Sequence, residues 1–313
     1  MNQSSHSKSL AAAFAMLLAS LTSLTPLALH AQDTLRQQNE TALAKAATPL
    51  EKAIALDKLG RFPDALSLLR DAARLAPNDP AIQLNTAIIL DHSGDHAGAR
   101  QIYDTLFGRI QNVQQSLAAA RKSGQPPPKP RDADSRLLAM SDILNENAAI
   151  NRVFLDQYDA ALSMFTAIYA RIAAYGPDEM TNRAALWRLW LTAKLRADDG
   201  MRSKVAIDTL ISSLDVSTLY HSAMLKFYQG KLPWEKVLAA IADTQTDALT
   251  KERYTTEASF FTAGYFRYVK LDNEAALKLL EAQTALPYNG IVERLLIRDE
   301  IKSLKTPAPA PAP

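Results

Sequence analysis

The chain repeats itself, and no other feature of it narrows the possible folds so far. The stretch Gly60-Arg61-Phe62-Pro63-Asp64-Ala65 runs through Leu69 and Ala72 to Pro77-Asn78-Asp79-Pro80. Thirty-four residues after Gly60 stands Gly94, and His96, Ala99, Tyr103 and Leu106 then take the places of Phe62, Ala65, Leu69 and Ala72. A unit of this length cannot bury its apolar face alone, so copies must stack to make a core. The pattern has a mechanical reading. Glycine closes the turn between two helices, a small residue lets them approach, and a large one fills the gap to the next pair.

The period is that of the tetratricopeptide repeat, two antiparallel helices per ~34 residues. The expected fold class is therefore all-α, a right-handed solenoid of tetratricopeptide helical hairpins. Local punctuation agrees. Thr48-Pro49-Leu50-Glu51 reads as a capping box with proline at the first helical position. Asp79-Pro80 repeats the device one unit later, and Phe62-Pro63 and Leu232-Pro233 open second helices in the same way. A third unit runs from about Asp142 to Ala174, with Asp156 in the glycine slot followed by Tyr158, Ala161, Phe165 and Ile168. Asp156 follows Gly94 by 62 residues rather than 34, so an insertion intervenes. The helix after Ala99 is expected to run on to about Arg121, with Ser123–Arg131 (SGQPPPKPR) as a polyproline-like surface loop. Further helices are expected near Met180–Leu195, Arg202–Leu214, Thr218–Gln229, Pro233–Asp243, Glu252–Lys270, Asn273–Leu286 and Ile291–Leu304. Ala275, Leu279 and Ala282 restore the repeat signature near the end. No stretch alternates with period two, so no sheet is expected. The repeat domain is placed at residues 32–304 and a disordered Pro/Ala tail at residues 305–313.

Residues 1–31 read as a secretory signal peptide. Lys8 supplies the positive start, Leu10 to Leu24 is apolar apart from Ser and Thr, Pro26 breaks the helix, and Ala31 precedes a polar stretch. An uncleaved anchor is the rival reading, against which Pro26 and His30 stand. Export with cleavage implies a periplasmic protein with no membrane span after the cut. The chain has no cysteine, which removes thiolate metal sites, thiol nucleophiles, disulfides and a lipid-modified N-terminal cysteine. A formal charge of +2, with interspersed signs, is not a nucleic-acid footprint.

Tetratricopeptide arrays bind along the face made by their first helices. By that geometry the inward slots are Ala47, Leu50, Ile54 and Asp57, then Ala81, Leu84, Ile88 and Asp91, then Ile143, Ile150 and Phe154. The stripe is apolar with an acidic rim, which suits an apolar peptide or an amphipathic helix as partner. A further helix over Asp33–Leu43 or a second subunit covering this face is the alternative. Asp91-His92-Ser93-Gly94-Asp95-His96 resembles a zinc site, but Gly94 is the turn residue and separates the histidines onto different helices, so no metal ligand is assigned. No HExxH, GxSxG or phosphate-binding glycine loop is present, and no enzyme activity or cofactor is expected. Trp187, Trp190 and Trp234 fall among leucines at helical spacing and are read as core.

From Phe227 onward more specific elements occur: Phe227-Tyr228-Gln229-Gly230-Lys231, Glu257, Phe260-Phe261, Ala275 and Asn289-Gly290-Ile291-Val292-Glu293. In these, and in the Trp-rich helix Trp187–Leu195, the chain resembles the NlpI family of bacterial envelope lipoproteins, without the lipidated cysteine. The resemblance covers the C-terminal 110 to 120 residues. It implies a non-enzymatic scaffold or adaptor that joins a periplasmic processing protease to cell-wall hydrolases, often as a homodimer. The competing reading is a structural homo-oligomer whose own subunits bury the apolar groove.

N-terminal sequencing of the protein expressed in a Gram-negative host should begin at Gln32, in the periplasmic fraction. A retained Met1 in washed membranes would restore the anchor reading.

Overall fold

The computed structural model describes residues 33, 36–124, 126, 129–197, 200–284, 288 and 290–306. The leader at residues 1–31, residues 307–313 of the tail, and Gln125, Pro127 and Pro128 of the proline loop lie outside them. All regular structure among the described residues is helical, as an all-α tetratricopeptide solenoid requires. The repeat domain expected over 32–304 divides into two compact units, Gln38–Arg171 and the chain from Ile172 onward.

The first unit contains α1 (36–45), α2 (Pro49–Lys58), α3 (Phe62–Leu75), α4 (Pro80–Ser93), α5 (His96–Lys122), α6 (Asp132–Ala139), α7 (Ser141–Phe154) and α8 (Tyr158–Ala173). The start of α2 is the capping box in full. Thr48 Oγ1 accepts from Glu51 N at 3.2 Å while the Glu51 carboxylate accepts from Thr48 N at 3.0 Å, satisfying amides that the helix leaves without partners. Asp79 caps α4 through Ala81 N at 2.8 Å, and Asp95 caps α5 through Gly98 N at 2.9 Å. Between α4 and α5 the chain reverses at Gly94 with φ 95°, and Asp156 makes the same left-handed turn before α8 with φ 56°. Aspartate tolerates that region better than most side chains.

The small and large positions of the repeat fill two adjoining cores. Ala53, Leu56, Ala65, Leu69 and Ile89 form the first, with Leu43 of α1 packed against it. Leu84, Ala99, Tyr103, Leu106 and Leu144 anchor the second. Ala65, Ala99 and Ala161 are wholly buried where paired helices cross. The insertion holds an element that the sequence pattern did not expose. After the long α5 and the proline loop, α6 folds back and plants Leu137 in the second core. Two ion pairs fasten it: Arg136 to Asp79 at 3.0 Å, and Asp134 to Arg109 of α5 at 3.1 Å.

The second unit contains α9 (Glu179–Leu195), α10 (Gly200–Ile211), α11 (Leu219–Tyr228), α12 (Trp234–Asp243), α13 (Ala248–Tyr268), α14 (Asn273–Thr284) and α15 (Glu293–Lys305). Helix α13 runs through its middle, packed against α9, α12, α14 and α15. Trp187 and Trp190 of α9 meet Phe260 and Phe261 of α13 edge-on or offset, at ring separations of 5.2 to 5.7 Å, the spacing that aromatic pairs prefer. Gly264 is what lets α9 come so near: a Cβ there would overlap the Trp190 indole. Pro233 stands just outside α12 as its N-cap rather than within the first turn. In α14, Ala275 and Leu279 are buried as the repeat requires, but Ala282 is exposed and Gln283 takes its place inside. A polar partner decides that last position: Gln283 Nε2 donates to Ser259 Oγ of α13 at 3.1 Å.

Ala99→Leu should cost ~1–3 kcal/mol in urea unfolding, because extra methylenes at a filled crossing force the helices apart. Ala119→Leu, exposed on the overhang of α5, should stay within about 0.5 kcal/mol of the parent. Equal losses would show that the repeat register is wrong.

Candidate partner-binding face

The first helices α2, α4 and α7 lie side by side in the first unit and carry the residues that the repeat geometry points inward. The structure sorts them into two groups. Leu50, Ile54, Ile88 and Phe154 are half-buried, and Ile143 is 47% exposed. Leu84, Asp91 and Ile150 are not available to a partner, with exposures of 1%, 4% and 5%. Leu84 belongs to the second core, because the inserted α6 and the long α5 close over that side of α4. The apolar stripe is thus narrower than the repeat register suggests. Helix α1 packs Leu43 against the first core, and Asn39 donates to the Lys58 carbonyl at 3.4 Å.

The acidic residues of the stripe bind within the fold. Asp57 of α2 accepts from Nδ1 of His92 on α4 at 2.7 Å. Asp91 of α4 accepts from Nδ1 of His96 at 3.0 Å and from Asn151 of α7 at 2.7 Å. Since a carboxylate only accepts, each histidine carries its hydrogen on Nδ1 here. Asn151 also donates to the His96 carbonyl at 2.9 Å, and the His96 ring stacks on Phe154 at 4.3 Å. Burial and the Asp91 charge push the Tyr103 hydroxyl well above its usual range. Asp57 and Asp91 hold equivalent repeat positions, and each ties its own first helix to a neighbouring element. His92 and His96 sit on α4 and α5 and face different aspartates. No group of three or more candidate ligands is placed to hold a metal among the described residues.

The second unit carries its polar groups inside. Tyr220 donates to Glu257 at 3.0 Å, His221 Nε2 stands 3.4 Å from the same carboxylate, and Arg183 lies between Glu257 and Glu293 at 3.7 and 3.3 Å. Burial pushes the Glu257 carboxyl up, but hydrogen bonding and charge from His221, with the Arg183 charge, outweigh it and hold the group below its ordinary value. Glu293 goes the other way. Burial raises it, and the nearby Glu257 charge adds to the rise against the pull of Arg183. Two carboxyls pushed apart in this manner are a familiar acid–base signature. Here, however, Glu293 is wholly buried and Glu257 nearly so, so the pair meets no solvent and acts as an internal strut. Nearby, Arg294 joins Glu252 at 2.7 Å and Thr256 at 2.6 Å. Glu300 receives Lys194 at 2.8 Å, Tyr268 at 2.8 Å and Arg267 at 2.5 Å. Burial raises the Glu300 carboxyl, and the Lys194 and Arg267 charges more than reverse that, leaving it below its usual range.

Residues 50–111 match the tetratricopeptide repeat family. No curated protein matches the chain. The matched segment spans α2 to the middle of α5, which includes two turns of the repeat and most of the half-buried stripe. The matched segment is thus a tetratricopeptide-type helical repeat, a kind of fold that generally mediates protein–protein interaction. The residues behind the NlpI resemblance have a different role in the fold. Phe227, Tyr228, Glu257, Phe260, Phe261, Ala275 and Glu293 are all buried, and Asn289 lies outside the described residues. These buried residues build the second unit, while Gly230 and Lys231 are exposed and Gln229 and Gly290 half-buried. Among the described residues no helix is long and apolar enough to cross a membrane.

The two buried glutamates should respond to pH with opposite signs. A carboxyl lowered by folding contributes stability that is present above its unfolded value and lost as pH falls through its folded value. Glu300→Gln should therefore cost ~3–5 kcal/mol at pH 7, by stranding its cations, and progressively less below about pH 4. A raised carboxyl contributes stability below its unfolded value that is lost as pH rises through the folded one. The melting temperature of Glu293→Gln relative to the parent should thus become more favourable from pH 4 to pH 8. Parallel slopes in the two variants would contradict these assignments.

Proposed function

We propose that this chain is a non-enzymatic scaffold or adaptor of the bacterial cell envelope, binding protein partners in the periplasm. The observation that carries the reading is the tetratricopeptide match over residues 50–111 with a half-buried apolar stripe on its first helices. The export signal at residues 1–31 supports the compartment. The NlpI resemblance of the C-terminal segment supports the finer role, which is to bring a processing protease together with cell-wall hydrolases. An apolar peptide or one face of an amphipathic helix is the ligand that suits Leu50, Ile54, Ile88, Ile143 and Phe154. Each such side chain, if covered, contributes on the order of 1.5–3 kcal/mol before the costs of association are subtracted. Micromolar binding is the scale to expect from a stripe this narrow.

The double variant Ile54→Asp, Ile143→Asp tests the reading. Both side chains reach the surface, so helicity and the melting temperature should change little. The parent should enrich an envelope protease or cell-wall hydrolase from periplasmic extract, and the variant should lose at least tenfold of that enrichment. Equal enrichment by parent and variant would remove the stripe from the binding site. A halved mass in light scattering on substitution would instead identify the stripe as a contact between copies of the chain.

A further inference from the structure

The insertion that breaks the repeat phase builds a groove of about 670 Å³ on the first unit. One wall is the overhang of α5 beyond the repeat, where Val113 and Leu117, one helical turn apart, face the same way. The opposite wall is the extended segment Lys129-Pro130-Arg131 leading into α6. Arg109 closes one end, and it is a fixed part of the frame. Its guanidinium donates to Gln83 at 3.0 Å, to Asp134 at 3.1 Å and to the Asn78 carbonyl at 3.4 Å, which joins α4, α5, α6 and the loop before α4. The second brace is Arg136 on Asp79. The groove is therefore preformed, in the size range of ligand sites.

Its charges are unbalanced. Asp134, the acid lining the groove, is consumed by Arg109. Lys129 and Arg131 are exposed and have no ion-pair partner among the described residues. Two uncommitted cations thus stand across the groove from an apolar strip, with Asn112 and Ser116 of α5 also lining it as hydrogen-bonding groups. None of the lining residues is aromatic, so a nucleobase would find no stacking surface. An extended peptide that alternates carboxylate and aliphatic side chains satisfies both walls at once, because successive side chains of an extended strand point to opposite sides. We infer that this groove binds an acidic peptide segment, at a site separate from the inner stripe of the first helices.

The test uses the protein purified after expression of the whole chain and three fluorescein-labelled twelve-residue probes. These are built on Glu-Leu, Lys-Leu and Ser-Leu repeats and read by anisotropy. The glutamate probe should bind at least tenfold more tightly than the other two, and its affinity should fall steeply as salt is raised, since exposed cations are screened. Lys129→Glu with Arg131→Glu should weaken it tenfold or more with an unchanged circular-dichroism melt. Leu117→Asp should weaken it comparably from the other wall. Ile54→Asp with Ile143→Asp should leave it unmoved, which separates this site from the inner stripe. The proposal is overturned if the glutamate and lysine probes bind alike, or if the Lys129, Arg131 variant binds as the parent does. Displacement of the glutamate probe by low-millimolar inorganic phosphate would make the groove a small-anion site and overturn the peptide assignment.

Discussion

Close approach of helix backbones is the constraint on which the rest depends. In the three repeat hairpins of the first unit the chain places an alanine with no exposed surface where the helices pair: Ala65 in α3, Ala99 in α5 and Ala161 in α8. A bare methyl lets the axes come within the short range of helix packing distances. The groove left beside the crossing is then filled by Leu69, Tyr103 or Phe165. Larger residues at the alanine positions would separate the helices and leave the fillers loose, losing both burial and dispersion contacts. The second unit obeys the same rule by a different residue. Gly264 in the middle of α13 accepts the Trp190 indole where any side chain would collide, and the cluster of Trp187, Trp190, Phe260 and Phe261 packs around that contact.

Polar groups are used to fix which elements meet. In the first unit Asp91 gathers His96 and Asn151, so that α4, α5 and α7 are joined by bonds as well as by apolar contact. In the second, Glu257, Glu293, Arg294 and Glu300 lie inside the bundle and pair with opposite charges or hydroxyls from other helices. Buried ion pairs stabilise little compared with apolar packing of the same volume, but an unmatched charge is costly. A mispaired helix would strand those charges, and this penalises alternative packings of otherwise similar Ala- and Leu-rich helices.

The insertion shows how a repeat acquires a feature of its own. Extending α5 past its repeat length leaves Val113 and Leu117 with no neighbouring repeat helix to cover them. The chain then returns through Lys129-Pro130-Arg131 and buries Leu137 of α6. That return seals Leu84, which a regular repeat would leave on the inner face, and at the same time opens a groove on the other side. One irregularity therefore both narrows the inner stripe and creates a second concave surface.

Periodicity, turn glycines and caps were legible along the chain because they act over a few residues. The 34-residue spacing, Asp156 in the glycine slot with its positive φ, the capping box at Thr48 and the run of α5 through the repeat boundary all follow from local conformational rules. The core role of Trp187 and Trp190 was legible for the same reason, through helical spacing. What tertiary structure alone decided concerns residues whose neighbours are distant in sequence. Helix α6 is short and polar, and only its contact with α4 and α5 makes it fold. Leu84 and Asp91 occupy slots that face inward in a regular array, yet their exposure depends on what the insertion and α7 lay over them. Gln283 displaces Ala282 because Ser259 stands opposite, and Gly264 matters because Trp190 does. Local sequence sets backbone conformation and amphipathic period, whereas burial, ion pairing and surface grooves are properties of pairs of segments.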